Sequence, residues 1–474
     1  MDWFSMIYNS FNFIVLFPLI FLAYYAIPSG YKKIRNFYLL AVSYLLYLQW
    51  KPVYALILLF VTIVTYYSAI AVTRVKHRKR AVTVSVLLAL LPLVFFKYFN
   101  FINESVSGLL ATVGLAFQFP GLNWAIPIGI SFYTFQALGY LWDVYYKRQN
   151  AEHDFLVYAL FVSFFPCILS GPINKASLLI PQLRSLRTYF DYYKVVEGLR
   201  LLLWGMFMKV VVADRVGIYV DKVLPSYENY TGLTCFIASI FYTIQIYADF
   251  AGYSFMAIGV GKTLGFELTE NFRRPYFAVS VTDFWRRWHI SLSTWLRDYV
   301  YIPMGGSRCS KYRNYLNIFV TFLVSGIWHG ANWTFIVWGI WHGLFQIIEK
   351  MFGQQKCNYG WFGKGIKIIV TFLLVNFAWI IFRMPTLTDA IRVIFRIFDT
   401  TLPITFYVNR HLAFAFIGIG LLFLKDLRDE WMPNRFPLMN SPFICIRWAT
   451  YAFLLMMILT TGVLGADQFI YINF

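Results

Sequence analysis

The residue best placed for chemistry in this sequence is His329, which lies in the long apolar run 315–348. At about 1.5 Å of rise per helical residue, it would stand roughly 21 Å from the start of that run, near the middle of a membrane. An ionisable side chain at that depth is costly and indicates function. Gly326, Gly330 and Asn332 predict a break in the helix, which is tolerated around a protein-lined cavity. A histidine hydrogen-bonded between packed helices is the alternative interpretation.

A second candidate is His289, in a segment (279–303) too charged to cross lipid as an isolated helix. At about 100° per residue, one stripe of that helix is aromatic and aliphatic: Phe284, Trp288, Leu292, Trp295 and Tyr299. The opposite stripe is polar and contains Arg286, His289, Ser293 and Arg297. We predict a single amphipathic helix, interfacial or re-entrant, with His289 facing a polar chamber. A plain membrane-surface helix is the alternative.

Histidines at these two positions suit acyl transfer to a hydroxyl group. A hydroxyl is a weak nucleophile, and a base with a pKa near neutrality can take its proton as it attacks. A thioester donor is already activated, so neither a metal nor a serine nucleophile is needed. Arg286, His289 or backbone amides could offset the charge that develops on the acyl oxygen. The guanidinium groups of Arg286 and Arg297 also suit the phosphates of coenzyme A.

Other polar residues in apolar surroundings are weaker candidates. Near His329, the predicted substrate-binding residues are Ser325, which shares its helix face, Trp328 and Asn332. Asp249 is a lone acid in the apolar run 233–258, and it is either a proton-relay group or an acid used in helix packing. His342 is interpreted as structural. The sequence Gly-Lys-Thr at 261–263 looks like the end of a phosphate-binding loop, but Met256 replaces the required earlier glycine, so we exclude that motif.

The elements that must hold these residues are membrane helices. Hydrophobic residues make up 59% of the 474-residue chain and charged residues only 13%, whereas soluble domains carry about 25% charged residues. We predict an all-α polytopic membrane protein forming one domain over 1–474, with re-entrant or amphipathic segments around a central reaction chamber. The roughly a dozen apolar segments are 11–27, 36–50, 52–73, 81–96, 126–146, 155–169, 201–212, 233–258, 315–348, 366–382, 412–424 and 448–463.

The net charge of +19, from 41 Lys and Arg against 22 Asp and Glu, also fits a membrane protein. The basic residues cluster in short loops, such as 32–35 and 74–80, which is typical of cytoplasmic loops and indicates no nucleic-acid partner. We predict that these loops are cytoplasmic, and that the N-terminus and the Lys51 loop lie outside. Asp2 stands where a signal peptide would be basic, so the first segment is predicted to be retained. The five cysteines form no C-x-x-C pair and predict no metal site.

Two long motifs carry a family resemblance: NFRRPYFAVSVTDFWRRWHISLSTWLRDYVYIPMGGSR at 271–308 and VSGIWHGANWTFIVWGIWHG at 324–343. With supporting matches such as IPIGISFYTFQALGYLWDVYY and YTIQIYADFAGYS, the whole chain resembles the membrane-bound O-acyltransferase family, in its alginate O-acetylase-like branch. One departure is Phe255, where the branch usually has an acid after GYS; Asp249 remains as the acid of this region.

The resemblance implies that His329 is the catalytic histidine and His289 the second polar active-site residue. It implies no tightly bound cofactor, an acetyl-CoA-type donor from the cytosol and a hydroxyl acceptor reached through a tunnel across the membrane. In this branch the acetyl group usually goes to an extracytoplasmic acetyltransferase, often serine-hydrolase-like, that modifies an exopolysaccharide or peptidoglycan. The expected location is the bacterial cytoplasmic (inner) membrane.

Several alternatives remain open. Within the enzyme class, the chain could transfer D-alanine to teichoic acid, or a fatty acid to a protein or lipid. A transporter would show paired halves with corresponding broken helices, and the sequence has no such symmetry. A scaffold for surface-polymer export would not need His329.

Overall fold

The computed structural model describes residues 8, 10–49, 51–115, 119–122, 124–168, 171–185, 190–353, 360–399, 407–408, 412–433, 435 and 437–463. In these residues every regular element is helical, which confirms the predicted all-α fold. The chain divides into two compact units. The first contains Met1–Val196, Val260–Thr269 and Gly330–Asn332, and the second contains Glu197–Gly259, Glu270–His329 and Trp333–Phe474. The single-domain assignment stays a prediction.

The first unit is built mainly from the amino-terminal apolar segments. Its helices are α1 (Phe11–Ala26), α2 (Lys32–Leu48), α3 (Pro52–Arg74), α4 (Arg78–Leu93), α5 (Phe99–Thr112), α6 (Ile130–Tyr145), α7 (Phe155–Ser163), α8 (Phe165–Ile168) and α9 (Ala176–Arg184). Buried hydroxyl groups join them, for example where the Tyr158 hydroxyl donates to Thr65 Oγ1 at 2.7 Å. Such bonds satisfy polar groups that apolar surroundings would otherwise leave unpaired.

One predicted segment of this unit, 81–96, is too short. Helix α4 continues through a π-helical turn, Val94–Tyr98, into α5, and together they form a 35-residue candidate span, Arg78–Thr112. Polar residues after position 96 interrupt the apolar pattern and hide this continuation from the sequence. One of them, Asn103, donates from Nδ2 to the Phe119 carbonyl at 2.7 Å, so its polar group is satisfied within the fold.

The second unit holds both candidate histidines. Helix α10 (Tyr192–Met206) leads into it, followed by α11 (Asp214–Val223), α12 (Gly232–Thr263), α13 (Val281–Arg287), α14 (Ile290–Leu296), α15 (Lys311–His329), α16 (Trp333–Met351), α17 (Trp361–Arg383), α18 (Leu387–Ile397), α19 (Leu412–Trp431) and α20 (Ile444–Thr461). The described residues of this unit also contain two π-helical turns, Phe207–Ala213 and Arg297–Tyr301, and two short 3₁₀ helices, Leu224–Asn229 and Pro275–Phe277.

Among the described residues, five helical segments are long and apolar enough to cross a membrane: Pro52–Arg74, Arg78–Thr112, Gly232–Thr263, Trp361–Arg383 and Ile444–Thr461. Two further apolar helical segments, Asn12–Ala26 and Phe155–Ile168, are shorter. Because about 20 apolar residues are needed to span the hydrocarbon core, these elements make the chain a polytopic membrane protein.

Helices α15 and α16 pack against each other through glycines. A Cβ added at Gly326 would lie 2.4 Å from the Phe335 carbonyl oxygen, and one added at Gly339 would lie 2.4 Å from the Phe322 carbonyl oxygen. Only residues without a side chain permit this approach of two backbones, as is common between membrane helices. The glycines therefore fix how α16 lies beside the helix that ends in His329.

Candidate active site

His329 is the last residue of α15, and α16 begins four residues later at Trp333. The predicted break in the apolar run is therefore present, immediately after the histidine. His329 is only 2% exposed. Its ring contacts Trp328, Trp338 and Phe382 at centroid distances of 5.0, 4.8 and 5.5 Å. Aromatic edges and faces from α15, α16 and α17 thus enclose the imidazole.

The segment 279–303 is not the single amphipathic helix predicted from its stripes. Helix α13 ends at Arg287 and α14 begins at Ile290, because His289 adopts a left-handed conformation with φ 42° and ψ 53°. The Ile290 amide donates to the Asn271 carbonyl at 2.9 Å, which replaces a helical hydrogen bond. The prediction of one continuous polar stripe is wrong, since hydrogen bonding to a distant segment of chain is not visible in helical periodicity.

The side chain of Asn271 holds His289 in place. Its Oδ1 lies 3.0 Å from His289 Nδ1 and accepts from the Ser291 amide at 3.3 Å and hydroxyl at 2.9 Å. Its Nδ2 donates to Ser254 Oγ at 2.9 Å. Because the Ser291 amide can only donate, this oxygen is an acceptor, and the hydrogen belongs on His289 Nδ1. The lone pair of the neutral imidazole is then on Nε2, the nitrogen suited to accept a proton.

His289 is completely buried, so its ring is not exposed on the surface of the protein, and its role in a reaction chamber stays a prediction. Its ring lies 4.7 Å from the Phe250 ring and 5.9 Å from the Trp328 ring. Trp328 also contacts His329. The fold therefore brings both predicted catalytic histidines and the predicted Trp328 into one cluster. Sequence reasoning missed Asn271, because a single asparagine in a loop has no periodic pattern.

The predicted donor-binding arginines line a cavity of about 510 Å³ in the second unit. Arg286, Ser293 and Arg297 contribute to its wall, with Gln346 and Lys350 from α16. The three cationic side chains make this cavity suited to an anionic ligand. His289 is absent from the wall, which follows from the helix break described above.

Acidic residues anchor the cavity wall formed by α13. Glu349 of α16 accepts hydrogen bonds from the Val281 and Thr282 amides at 2.5 and 3.0 Å, so a carboxylate satisfies the amino-terminal end of α13. At the other end, Arg287 pairs with Glu430 at 2.8 Å. Burial alone would lower the pKa of Arg287, but Glu430 and Asp283 raise it above its ordinary value. This guanidinium is therefore a permanent cation.

The remaining predicted residues lie in different surroundings. Ser325 is completely buried on α15, and Asn332 is half-buried in the three-residue connection between α15 and α16. Asp249 lies 2.7 Å from the buried Lys209, which also contacts Asp214 at 2.6 Å. This buried ion cluster favours the helix-packing interpretation of Asp249. Its proton-relay role stays a prediction.

His342, interpreted from sequence as structural, lies close to the histidine cluster. It is 1% exposed, and its ring is 4.9 Å from Trp338 and 5.2 Å from Trp285. Neither ring nitrogen has a hydrogen-bond partner among the described residues. An unsatisfied buried polar atom costs about 1–3 kcal/mol, so this arrangement is unusual for a residue used only in packing.

The family model "MBOAT, membrane-bound O-acyltransferase family" matches residues 144–388, just over half of the chain. The chain belongs to the membrane-bound O-acyltransferase family. The match includes Asn271, His289, His329 and His342, so the whole histidine cluster lies inside the family region. The class of enzyme is thus an acyltransferase, as the sequence predicted.

Individual relatives extend the similarity beyond the family region. The protein named "Probable alginate O-acetylase AlgI" from Pseudomonas aeruginosa is 36% identical over 90% of this chain and 84% of its own length. A peptidoglycan O-acetyltransferase from Helicobacter pylori is 33% identical over 82% of this chain and 79% of its own. A teichoic acid D-alanyltransferase from Bacillus subtilis is 26% identical over 63% of this chain and 76% of its own.

Proposed function

We propose that this acyltransferase moves acetyl groups from cytosolic acetyl-CoA to hydroxyl groups of an exopolysaccharide or peptidoglycan outside the membrane. The observation that carries the proposal is the 36–39% identity to five relatives named as alginate O-acetylases, over 81–90% of this chain. A peptidoglycan O-acetyltransferase covers a similar share of this chain. This relative supports acetyl as the transferred group, with peptidoglycan as a second possible acceptor polymer.

The buried histidines support a direct transfer mechanism. In it His329 takes the proton of the acceptor hydroxyl while the oxygen attacks the thioester carbonyl. The new C–O bond forms, the C–S bond breaks, and the proton passes from His329 to the departing thiolate. His289, whose Nδ1 is held by Asn271, orients the reacting groups through the lone pair on Nε2, and backbone amides offset the charge on the acyl oxygen. The aromatic walls around His329 exclude water, which would otherwise hydrolyse the thioester.

The cavity lined by Arg286 and Arg297 supports entry of an anionic donor. Coenzyme A carries phosphates that guanidinium groups bind well. We propose that the donor comes from the cytoplasm of a bacterial inner membrane, and the basic loops favour an N-terminus on the outside. The acceptor on the opposite side is an extracytoplasmic partner acetyltransferase, serine-hydrolase-like, which passes the acetyl group to the cell-surface polymer.

The test is transfer of radiolabelled acetyl from acetyl-CoA in proteoliposomes supplied with an acceptor extract from the same cells. We expect labelled polymer or partner protein with the native enzyme and none with His329→Ala. His153→Ala, which changes an exposed histidine, is the matched control and should retain activity. Substantial transfer by a well-expressed His329→Ala protein would contradict the role of His329, and labelling only from palmitoyl-CoA would contradict the acetyl donor.

A second candidate is transfer of D-alanine, because two relatives are named teichoic acid D-alanyltransferases. They are only 26% and 28% identical and cover 63% and 44% of this chain, so we rank acetyl transfer first. A parallel reaction with radiolabelled D-alanine in place of the acetyl group distinguishes the two. Incorporation of D-alanine with no incorporation of acetyl would exchange their ranks.

A further inference from the structure

His342 lies between the cationic cavity and the catalytic histidine cluster. On one side its ring contacts Trp285 at 5.2 Å and Phe322 at 6.4 Å, and both of these residues line the cavity. On the other side it contacts Trp338 at 4.9 Å, and Trp338 contacts His329 at 4.8 Å. Trp285 and Trp338 also contact each other at 5.6 Å, so His342 lies directly beside the aromatic contact that joins the cavity to the His329 cluster.

The surroundings of His342 provide packing but no polar partner. Phe284 stacks against it at 6.2 Å with an interplanar angle of 8°, and neither ring nitrogen is hydrogen-bonded among the described residues. Since buried polar groups are almost always satisfied, a group without a partner indicates a ligand that supplies one. A neutral imidazole can donate from one nitrogen and accept at the other.

The spacing along α16 matches the shape of a thioester donor. Trp338, His342, Gln346 and Lys350 are four residues apart, so they form one row along the helix, which turns by about 120° between its two ends. From Trp338 to Lys350 this row extends about 18 Å. The chain of a phosphopantetheine arm between phosphate and sulfur is as long as four to five extended peptide residues, about 15 Å. With its phosphate near Lys350, the arm would place its sulfur close to Trp338 and His329.

We propose that His342 is a donor-binding residue, which hydrogen-bonds the amide groups of a phosphopantetheine arm once the Trp285 side chain has turned aside. Lys350 and Arg297 bind the phosphate at the outer end of the same arm, and Gln346 contacts its middle. The inference rests on the proposed function in taking a pantetheine thioester as donor. Free coenzyme A and a carrier protein both present this arm, and the proposed site recognises the part that the two have in common.

Binding to the purified full-length protein in nanodiscs tests the proposal without any acyl transfer. The probes are coenzyme A, 4′-phosphopantetheine, which is the arm alone, and adenosine 3′,5′-bisphosphate, which lacks the arm. Two substitutions separate polarity from packing: His342→Met fills the aromatic pocket with a flexible apolar side chain, whereas His342→Gln keeps a donor and an acceptor. Lys350→Gln tests the phosphate end.

We expect His342→Met to weaken the binding of both arm-containing probes roughly five- to tenfold, because one hydrogen bond is lost. The affinity for adenosine 3′,5′-bisphosphate should not change. His342→Gln should stay within about threefold of the native affinity. Lys350→Gln should weaken the binding of both arm-containing probes. Equal affinities of the Met and Gln variants for 4′-phosphopantetheine, whether both native or both weakened, would overturn the proposal, because packing alone would then explain His342.

The same measurements separate this inference from the proposed function. Binding of coenzyme A that depends on His342, without acetyl transfer in the reconstituted reaction, would refute only the acetyl-transfer proposal. If coenzyme A binds much more tightly than 4′-phosphopantetheine, the source of the arm is the free cofactor. Equal affinities for the two, with no binding of adenosine 3′,5′-bisphosphate, would show that only the arm is recognised, which is the result expected if a carrier protein presents it. Acetyl transfer that is unchanged in His342→Met at every donor concentration would refute only the role of His342.

Discussion

The Oδ1 atom of Asn271 lies 3.0 Å from Nδ1 of His289, across a break between two short helices. The same oxygen accepts two hydrogen bonds from Ser291, and the Asn271 carbonyl accepts one from Ile290. One asparagine thus sets the tautomer of the histidine and holds the backbone that presents it. A left-handed histidine is an uncommon conformation, and its cost of about 1–3 kcal/mol is accepted at functional sites.

Asn271→Ala should lower the rate constant of acyl transfer roughly 10- to 100-fold, the loss seen when outer partners of metal-bound histidines are removed. The reason is that Nδ1 of His289 loses its acceptor and the ring its fixed orientation. The measurement is kcat and KM for acetyl-CoA in proteoliposomes. Asn376→Ala is the control: Asn376 is equally buried and bonds Thr243 and Ser239, so it should lower thermal stability and leave kcat near native. Equal kcat in the two variants would count against a positioning role.

Arg286→Ala and Arg297→Ala should each raise KM for acetyl-CoA roughly 5- to 30-fold, with kcat little changed, because one charge-assisted contact to a phosphate is lost. Both side chains are exposed at the cavity wall, so added salt should weaken donor binding in the native protein as well. Arg308→Ala removes an exposed arginine outside this wall and serves as control. A KM that is unchanged in both cavity variants would place the donor elsewhere.

Gly326→Ala should destabilise the protein by about 1–3 kcal/mol, because the new methyl group would meet the Phe335 carbonyl oxygen at the contact of α15 and α16. Thermal unfolding in detergent measures this effect. Gly420→Ala is the matched control, since nothing lies within 4 Å of a Cβ at that helical position. Its expected effect is neutral or stabilising by up to about 1 kcal/mol, from the helix propensity of alanine. A Gly326→Ala protein as stable as Gly420→Ala would mean that the two helices can separate without loss.

The basic loop after α3 should be cytoplasmic and the Lys51 loop external. In a background with the native cysteines replaced, Lys51→Cys should react with an impermeant thiol reagent in intact cells, and His77→Cys should react only after the membrane is opened. Both positions are exposed, so burial does not limit labelling. Rapid labelling of His77→Cys in intact cells would reverse the topology.

The apolar pattern of the sequence predicts most of the fold because membrane helices are specified by composition over long stretches. The break after His329 could also be predicted, since glycines and a histidine interrupt an apolar run at that point. Three of the four residues of the polar stripe, Arg286, Ser293 and Arg297, line one cavity, although His289 and the continuous helix do not follow the prediction. These features depend on residues close together in sequence, which is the range over which periodicity carries information.

Features that depend on distant pairing could not be predicted in this way. The helix break at His289 requires Asn271, eighteen residues earlier, and the position of His342 depends on Trp285 of another helix. The sequence alone indicates a structural role for His342, because this residue lies near one end of an apolar run. Its surroundings are set by how α13 packs against α16, and Glu349 fixes that packing through two backbone amides.

The ion cluster of Lys209, Asp214 and Asp249 has a consequence for how the chain is made. Lys209 lies in the apolar segment 201–212, and its partner Asp249 is forty residues further along. A lone lysine at the bilayer centre costs about 2.5–3.5 kcal/mol even by the lower scales. We therefore expect the segment with Lys209 to wait at the insertion machinery until α12 has been synthesised, and then to enter lipid with it. Photo-crosslinking of nascent chains of increasing length should show this retention in the native protein, and earlier release in Lys209→Leu.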